Sequence, residues 1–147
     1  MITATIDNLL GNKAGQIWSV PPDATVLDAL KLMAAKNVGA LLVMQGDQLV
    51  GILSERDYAR KVTLKGRAAD TTRVSEVITT PVVTVTPQQT VEECMRLMTS
   101  HRFRHLPVVK DGKVLGVISI GDLINWTISA QEQAIQQMEN YIAGGYR

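Results

Sequence analysis

Two short stretches hold the residues whose types and spacing are best suited to chemistry: "GILSERD" at 51–57 and "GVISIGD" at 116–122. In each, a serine ends an apolar run and an aspartate follows three positions later, Ser54 with Asp57 and Ser119 with Asp122. The plain structural use of this spacing is the helix capping box, which satisfies amides left open at a helix start and contributes about 1 kcal/mol. A second use is compatible with the first. A hydroxyl and free amides at a helix start make an anion site, and a first-turn carboxylate repels phosphate but accepts two hydrogen bonds from a vicinal diol. A ribose phosphate meets both demands, with its 2′ and 3′ hydroxyls on the carboxylate and its 5′-phosphate toward the serine. The residues by themselves leave both uses open.

Catalysis finds little support. The sequence offers neither a Ser/His/Asp or Cys/His constellation with supporting spacing nor a G-x-x-x-x-G-K-[ST] loop. Asp57 and Asp122 could act as paired carboxylates only if they faced each other, and nothing sets a nucleophile beside them. His101 and His105 are four apart, but a helix should end between them, which argues against a metal pair. The expectation is a protein that is not an enzyme and holds no metal.

The elements that must position these residues repeat. Residues 17–57 lie over 82–122 at a fixed offset of 65 without a gap, with identities that include Val20/Val85, Pro22/Pro87, Thr25/Thr90, Met33/Met98, Leu41/Leu106, Gly51/Gly116, Ser54/Ser119 and Asp57/Asp122. "IWSV" and "VVTV" read as short strands. "PPDATVLDALKLMAAKN" and "TPQQTVEECMRLMTSHR" open with proline and a polar cap before apolar residues at helical spacing. "ALLVM" and "LVGILS" flank a glycine-containing turn, as do "HLPVV" and "VLGVIS", and each hairpin leads into a helix at the serine. The order is β-α-β-β-α, twice, and each unit is preceded by a short helix-like piece, "IDNLL" or "VSEVI". Neither unit can bury both faces of a small sheet alone, so the fold class expected is α+β, with two repeats packed about a pseudo-twofold axis and an added C-terminal helix. The divisions expected are a first repeat with its N-terminal helix at 1–64, a polar linker at 65–73, a second repeat at 74–126, and an amphipathic helix and tail at 127–147.

Composition limits the partners. A chain of 147 residues should bury roughly 70% of its unfolded surface, and with 46% hydrophobic but 4% aromatic residues its core must be aliphatic. Net charge is +1, from 15 basic and 14 acidic residues, so no general field draws in nucleic acid or an anionic membrane. Any anion site must be local. The single Cys94 reads as a small buried residue. No basic leader followed by an apolar run and no stretch near 20 apolar residues is present, and a cytoplasmic protein is expected.

With the paired G-x-φ-S-x-x-D signatures, φ being apolar, both units resemble the CBS domain, named after cystathionine beta-synthase, and the pair resembles the tandem Bateman module, from about Val20 to Asn125. "GALLVM", "SERDYARK" and "RHLPV" are similar to segments of small stand-alone bacterial CBS-pair proteins. The resemblance implies a regulatory module that binds adenosine-containing ligands in clefts between the repeats. It also implies how each cleft is built: one repeat's Asp is completed by the other repeat's first strand and the start of its second. One site then combines Ser54, Arg56 and Asp57 with Thr79, Pro81, Val83, Arg104, His105 and Pro107. The other combines Ser119, Gly121 and Asp122 with Gln16, Trp18, Val38, Gly39 and Ala40. Arg104 stands where the family places phosphate-binding side chains, whereas Arg102 and His101 read as a solvated run at a helix end. Trp18 could stack on a ring, but core cover is the preferred reading. AMP or NAD(H) leads among the ligands, with ADP, ATP and S-adenosylmethionine as alternatives. The regulated partner protein is not named by the sequence.

"ISAQEQAIQQMENYIAGG" sets Ile128, Ile135, Met138 and Ile142 on one helical stripe. The repeat core is complete at Asn125, so this stripe should find its surface in a second subunit, giving a homodimer.

Overall fold

The computed structural model describes residues 4–11 and 17–145. The first repeat comprises β1 (Ser19–Val20), α2 (Val26–Lys36), β2 (Ala40–Gln45), β3 (Gln48–Ser54) and a single turn, α3 (Glu55–Tyr58), and is preceded by α1 (Ile6–Leu10). The second comprises α4 (Val91–His101), β4 (His105–Lys110), β5 (Lys113–Ser119) and α5 (Ile120–Gly145).

Equivalent residues do equivalent work. The hydroxyls of Thr25 and Thr90 cap α2 and α4, accepting from the amides of Asp28 at 3.1 Å and Glu93 at 3.0 Å. Asn37 and Arg102 end these helices in the left-handed conformation, φ 54° and 59°. Ala40 pairs with Ser54 and His105 with Ser119, and each hairpin slips register by one residue, after Val43 and after Val108. Val26, Ala29 and Met33 face one core, and Val91, Cys94 and Met98 face the other.

Four features depart from the sequence reading. First, "VVTV" is reduced to a bridge between Val85 and Val108, so one unit holds a β1-β2-β3 sheet and the other a β4-β5 pair. Pro81 and Pro87 bracket that stretch and bring no amide to a ladder. Second, the helix begun at Ser54 widens after one turn into a π-helical stretch, Ala59–Thr63. Third, the C-terminal helix is not separate. α5 runs unbroken past Asn125, since neither proline nor glycine stands between Gly121 and Gly144 to stop it. Fourth, the polar segment 65–73 is docked: Thr72 is buried, its carbonyl accepts from Val26 N–H at 2.9 Å, and that of Ala69 accepts from Leu27 N–H at 3.0 Å.

The helix-like pieces are exchanged between the units. α1 precedes the first repeat, yet Ile6 and Leu10 are buried in the core of the second. Val74 and Val77, which precede the second repeat, are buried in the core of the first. Matching hydrogen bonds fix both: Val91 N–H to Ala4 O at 3.0 Å mirrors Val26 N–H to Thr72 O, and Ile6 N–H to Gln89 O mirrors Val74 N–H to Ala24 O, both at 2.8 Å. A twofold relation between the units requires this reciprocity. The N-terminal helix assigned to the first repeat by chain order therefore belongs structurally to the second.

Cys94 is buried, as its position on the apolar face implies. Desolvation, with a smaller contribution from the charge of Glu93, pushes its thiol up to about 11. Only about a thousandth is thiolate at pH 8. Thiol reagents are therefore expected to leave the native protein unmodified at pH 8 and to label Cys94 on denaturation; rapid native labelling counted by mass would contradict this.

Candidate functional site

Ser54 forms the N-cap of α3, and the capping box is closed. Its N–H donates to Asp57 Oδ2 at 2.9 Å, its Oγ lies 3.0 Å from the same oxygen, and Asp57 N–H donates to Ser54 Oγ at 3.1 Å. Ser119 and Asp122 repeat this, with Ser119 N–H to Asp122 Oδ2 at 2.8 Å and Asp122 N–H to Ser119 Oγ at 3.1 Å. The structural use of both motifs is therefore present.

In the first motif the capping role engages one carboxylate oxygen. Asp57 Oδ1 turns the other way, to Lys61 Nζ at 3.2 Å and Thr79 Oγ1 at 3.3 Å. Lys61 Nζ also donates to the Val77 carbonyl at 3.3 Å. Thr79 reaches this place because its amide bonds to Ile52 O at 3.2 Å, tying the chain between the repeats to the edge of β3. The Asp57 side chain is 14% exposed against 41% for Lys61, so the carboxylate is sheltered and its cation is half in water.

These groups open on a cavity of about 550 Å³ between the repeats, within the size range of small-molecule sites. Ser54, Arg56, Asp57, Thr79, Val83, Arg104, His105 and Pro107, all assigned to the first site, line it together. Pro81 is exposed and outside the lining. Arg102 and His101 also line the cavity, although both are exposed, as a solvated run would be. His101 stacks on Phe103, centroids 5.5 Å apart, and Arg102 offers its carbonyl to Arg56 Nη1 at 3.0 Å across the cleft. Arg104 is fixed through its backbone, its carbonyl accepting from Ile120 N–H at 2.9 Å.

Gln16 lies outside the described residues. Gly39, assigned to the second site, lines the first cavity: a Cβ there would stand 3.2 Å from Glu55 Oε1 and 3.6 Å from His105 Nε2. Its small size thus serves the approach of the two units at this point. Trp18 is 38% exposed and lies beneath Lys36 Nζ, 4.4 Å from the ring centroid, which corrects the reading of it as core. β1 begins only at Ser19 and is too short to carry the ring inward. Val38 packs against the first core, Ala40 pairs with Ser54, and Gly121 lies beside Ser119 Oγ. Trp18, Val38, Ala40, Ser119, Gly121 and Asp122 are outside the lining of the first cavity.

Sequence reasoning missed Arg60, Lys61 and Glu55. Lys61 had a signal, since it stands four residues after Asp57 on an expected helix. The walls hold Arg56, Arg60, Lys61, Arg102 and Arg104 against two carboxylates, Glu55 and Asp57, so the cavity is locally basic in a nearly neutral chain. Among the described residues, no three His, Cys, Asp or Glu side chains gather into a metal site, and no helix is long and apolar enough to cross a membrane.

Comparison with known proteins agrees with the repeat. The CBS domain family matches twice, at residues 14–63 and 74–129. CBSX3, a mitochondrial CBS domain-containing protein of Arabidopsis thaliana, is 42% identical over 135 residues, which cover 88% of this chain and 65% of that protein; the chain thus spans just under two thirds of this relative. A protein with CBS domains from Burkholderia ambifaria MC40-6 shares the structure with a TM-score of 0.84 at 49% identity, covering 87% of this chain and 96% of that one. CBSX2, solved in complex with AMP, matches with a TM-score of 0.70 at 26% identity, covering 87% of this chain and 98% of its own. The twofold match, the mirrored hairpins and the reciprocal exchange of α1 and Val74–Glu76 lead to one conclusion: the chain belongs to the CBS domain family and carries two copies of the domain in tandem.

Proposed function

We propose that this protein is a non-catalytic regulatory module that binds an adenine nucleotide in the cavity between its repeats and passes the bound state to a partner protein, working as a homodimer. The observation that carries the reading is Asp57. One oxygen closes the cap, and the other faces a basic cavity beside Thr79, where a ribose diol can take its place among hydrogen-bonding groups. Arg104 and the neighbouring cations then answer the phosphate through charge-assisted hydrogen bonds. The AMP complex of CBSX2 supports the ligand class. AMP or NAD(H) fits best, ahead of ADP, ATP and S-adenosylmethionine, because a phosphate beside the ribose uses the arginines.

A rival reading treats the module as a structural or interaction unit in which both serine–aspartate pairs are caps alone, and the two closed capping boxes favour it. Calorimetric titration with these five ligands and adenosine separates the readings. The nucleotide reading expects binding with AMP preferred over adenosine, and Arg104→Ala is expected to erase most of that preference and flatten its salt dependence. Absence of heat and of thermal stabilisation with every ligand would leave the capping reading standing. A preference unchanged in Arg104→Ala would remove Arg104 from the phosphate.

A further inference from the structure

α5 leaves the body of the protein after Thr127, and every residue from Ile128 to Gly144 is exposed. A helix standing alone in water should be polar around its circumference. This one presents Ile124, Ile128, Ile135, Met138 and Ile142, each between 44% and 64% exposed. With Gln131 included, the row 124, 128, 131, 135, 138, 142 advances by alternating steps of four and three. This is a heptad seam, with Ile128, Ile135 and Ile142 at one core position, Ile124, Gln131 and Met138 at the other, and Ala134 and Tyr141 beside it. The 3.5-residue period of this row fits another helix of the same period.

We infer that α5 pairs with α5 of a second copy as a parallel, in-register, two-stranded coiled coil. The inference rests on the homodimer reading above and adds the surface, orientation and register. Three features select this occupant. Branched isoleucine fills all three positions of one set but only Ile124 of the other, so the seam lacks the isoleucine at both sets that favours three or four strands. Gln131 stands in the seam, where it meets the partner copy's glutamine only when the helices are parallel and unslipped; reversal or a slip sets its amide against isoleucine or methionine. Finally, Glu132 and Glu139 share one flank, while Thr127, Ala134 and Tyr141 form the other. Parallel pairing sets the acidic flank against the uncharged one, whereas antiparallel pairing sets the acidic flank against itself.

Single cysteines in the full chain test this, because the buried Cys94 stays out of exchange. Oxidised separately, Ile128→Cys and Met138→Cys are each expected to give covalent dimers. Their mixture is expected to contain no 128–138 link, and Gln136→Cys, on the outer face, no dimer. A link between 128 and 138 found only in the mixture would mean antiparallel helices and overturn the inference. Failure of both variants to link, with the unmodified chain sedimenting as a dimer, would overturn the coiled coil and leave the homodimer intact. A monomeric unmodified chain would overturn both.

Discussion

Asp57→Ala is expected to weaken AMP binding by about 1.5–3 kcal/mol, about 10- to 150-fold, the range for a hydrogen bond to a charged group. The variant loses two things at once: the oxygen that closes the α3 cap and the oxygen that faces Thr79 and Lys61 in the cavity. Capping accounts for stability, about 1 kcal/mol, and Asp122→Ala serves as the control because it opens the matching cap outside this cavity. The cavity-facing oxygen accounts for affinity. Against 2′-deoxy-AMP the native protein should lose part of its binding, while Asp57→Ala should lose little more. Equal discrimination by both proteins, measured by calorimetry, would reduce Asp57 to a cap. Native protein held at about 100 times the dissociation constant of AMP should also gain roughly 2.7 kcal/mol of stability, a gain that should fall to about 0.3–1.4 kcal/mol in Asp57→Ala at the same concentration.

What could be read beforehand follows from how local each signal is. The hairpins, the threonine caps and the closed serine–aspartate boxes all depend on residues within a few positions of one another, and the offset of 65 doubled the evidence for each. The first site came together because the family resemblance specified which strand completes which cleft, and the structure gathers eight of its nine residues at one cavity. Trp18 was misread because its environment depends on where β1 starts and on Lys36 at the far end of α2. Lys61 was passed over because a lysine at helical spacing usually signifies only a solvated face, and its meaning depends on Thr79, which arrives from 18 residues away. The continuity of α5 was visible as the absence of any breaker, but a repeat pattern complete at Asn125 set a division inside what is one helix.

The exchange of the leading segments was the least legible feature, and it carries the largest expected effect on stability. Ile6 is fully buried in the second core, with Leu106, Ile118 and Leu123 in the same cluster. Ile6→Ala is therefore expected to cost about 2–5 kcal/mol through lost burial and the cavity left behind, a fall of about 5–20 °C in Tm. Stability alone does not reveal which unit the helix serves, so hydrogen exchange is the deciding measurement. If α1 belongs to the second core, amides of β4 and β5 should lose protection before those of β2 and β3, although the substitution lies closer in sequence to the latter. Val74→Ala provides the reciprocal case: Val74 is fully buried in the first core, and its truncation should loosen β2 and β3 first. Chain order predicts the opposite assignment in both variants. A loss of protection confined to β2 and β3 in Ile6→Ala would return α1 to its neighbour in sequence, and with it would fall the reciprocal hydrogen bonds on which the twofold relation of the repeats is argued.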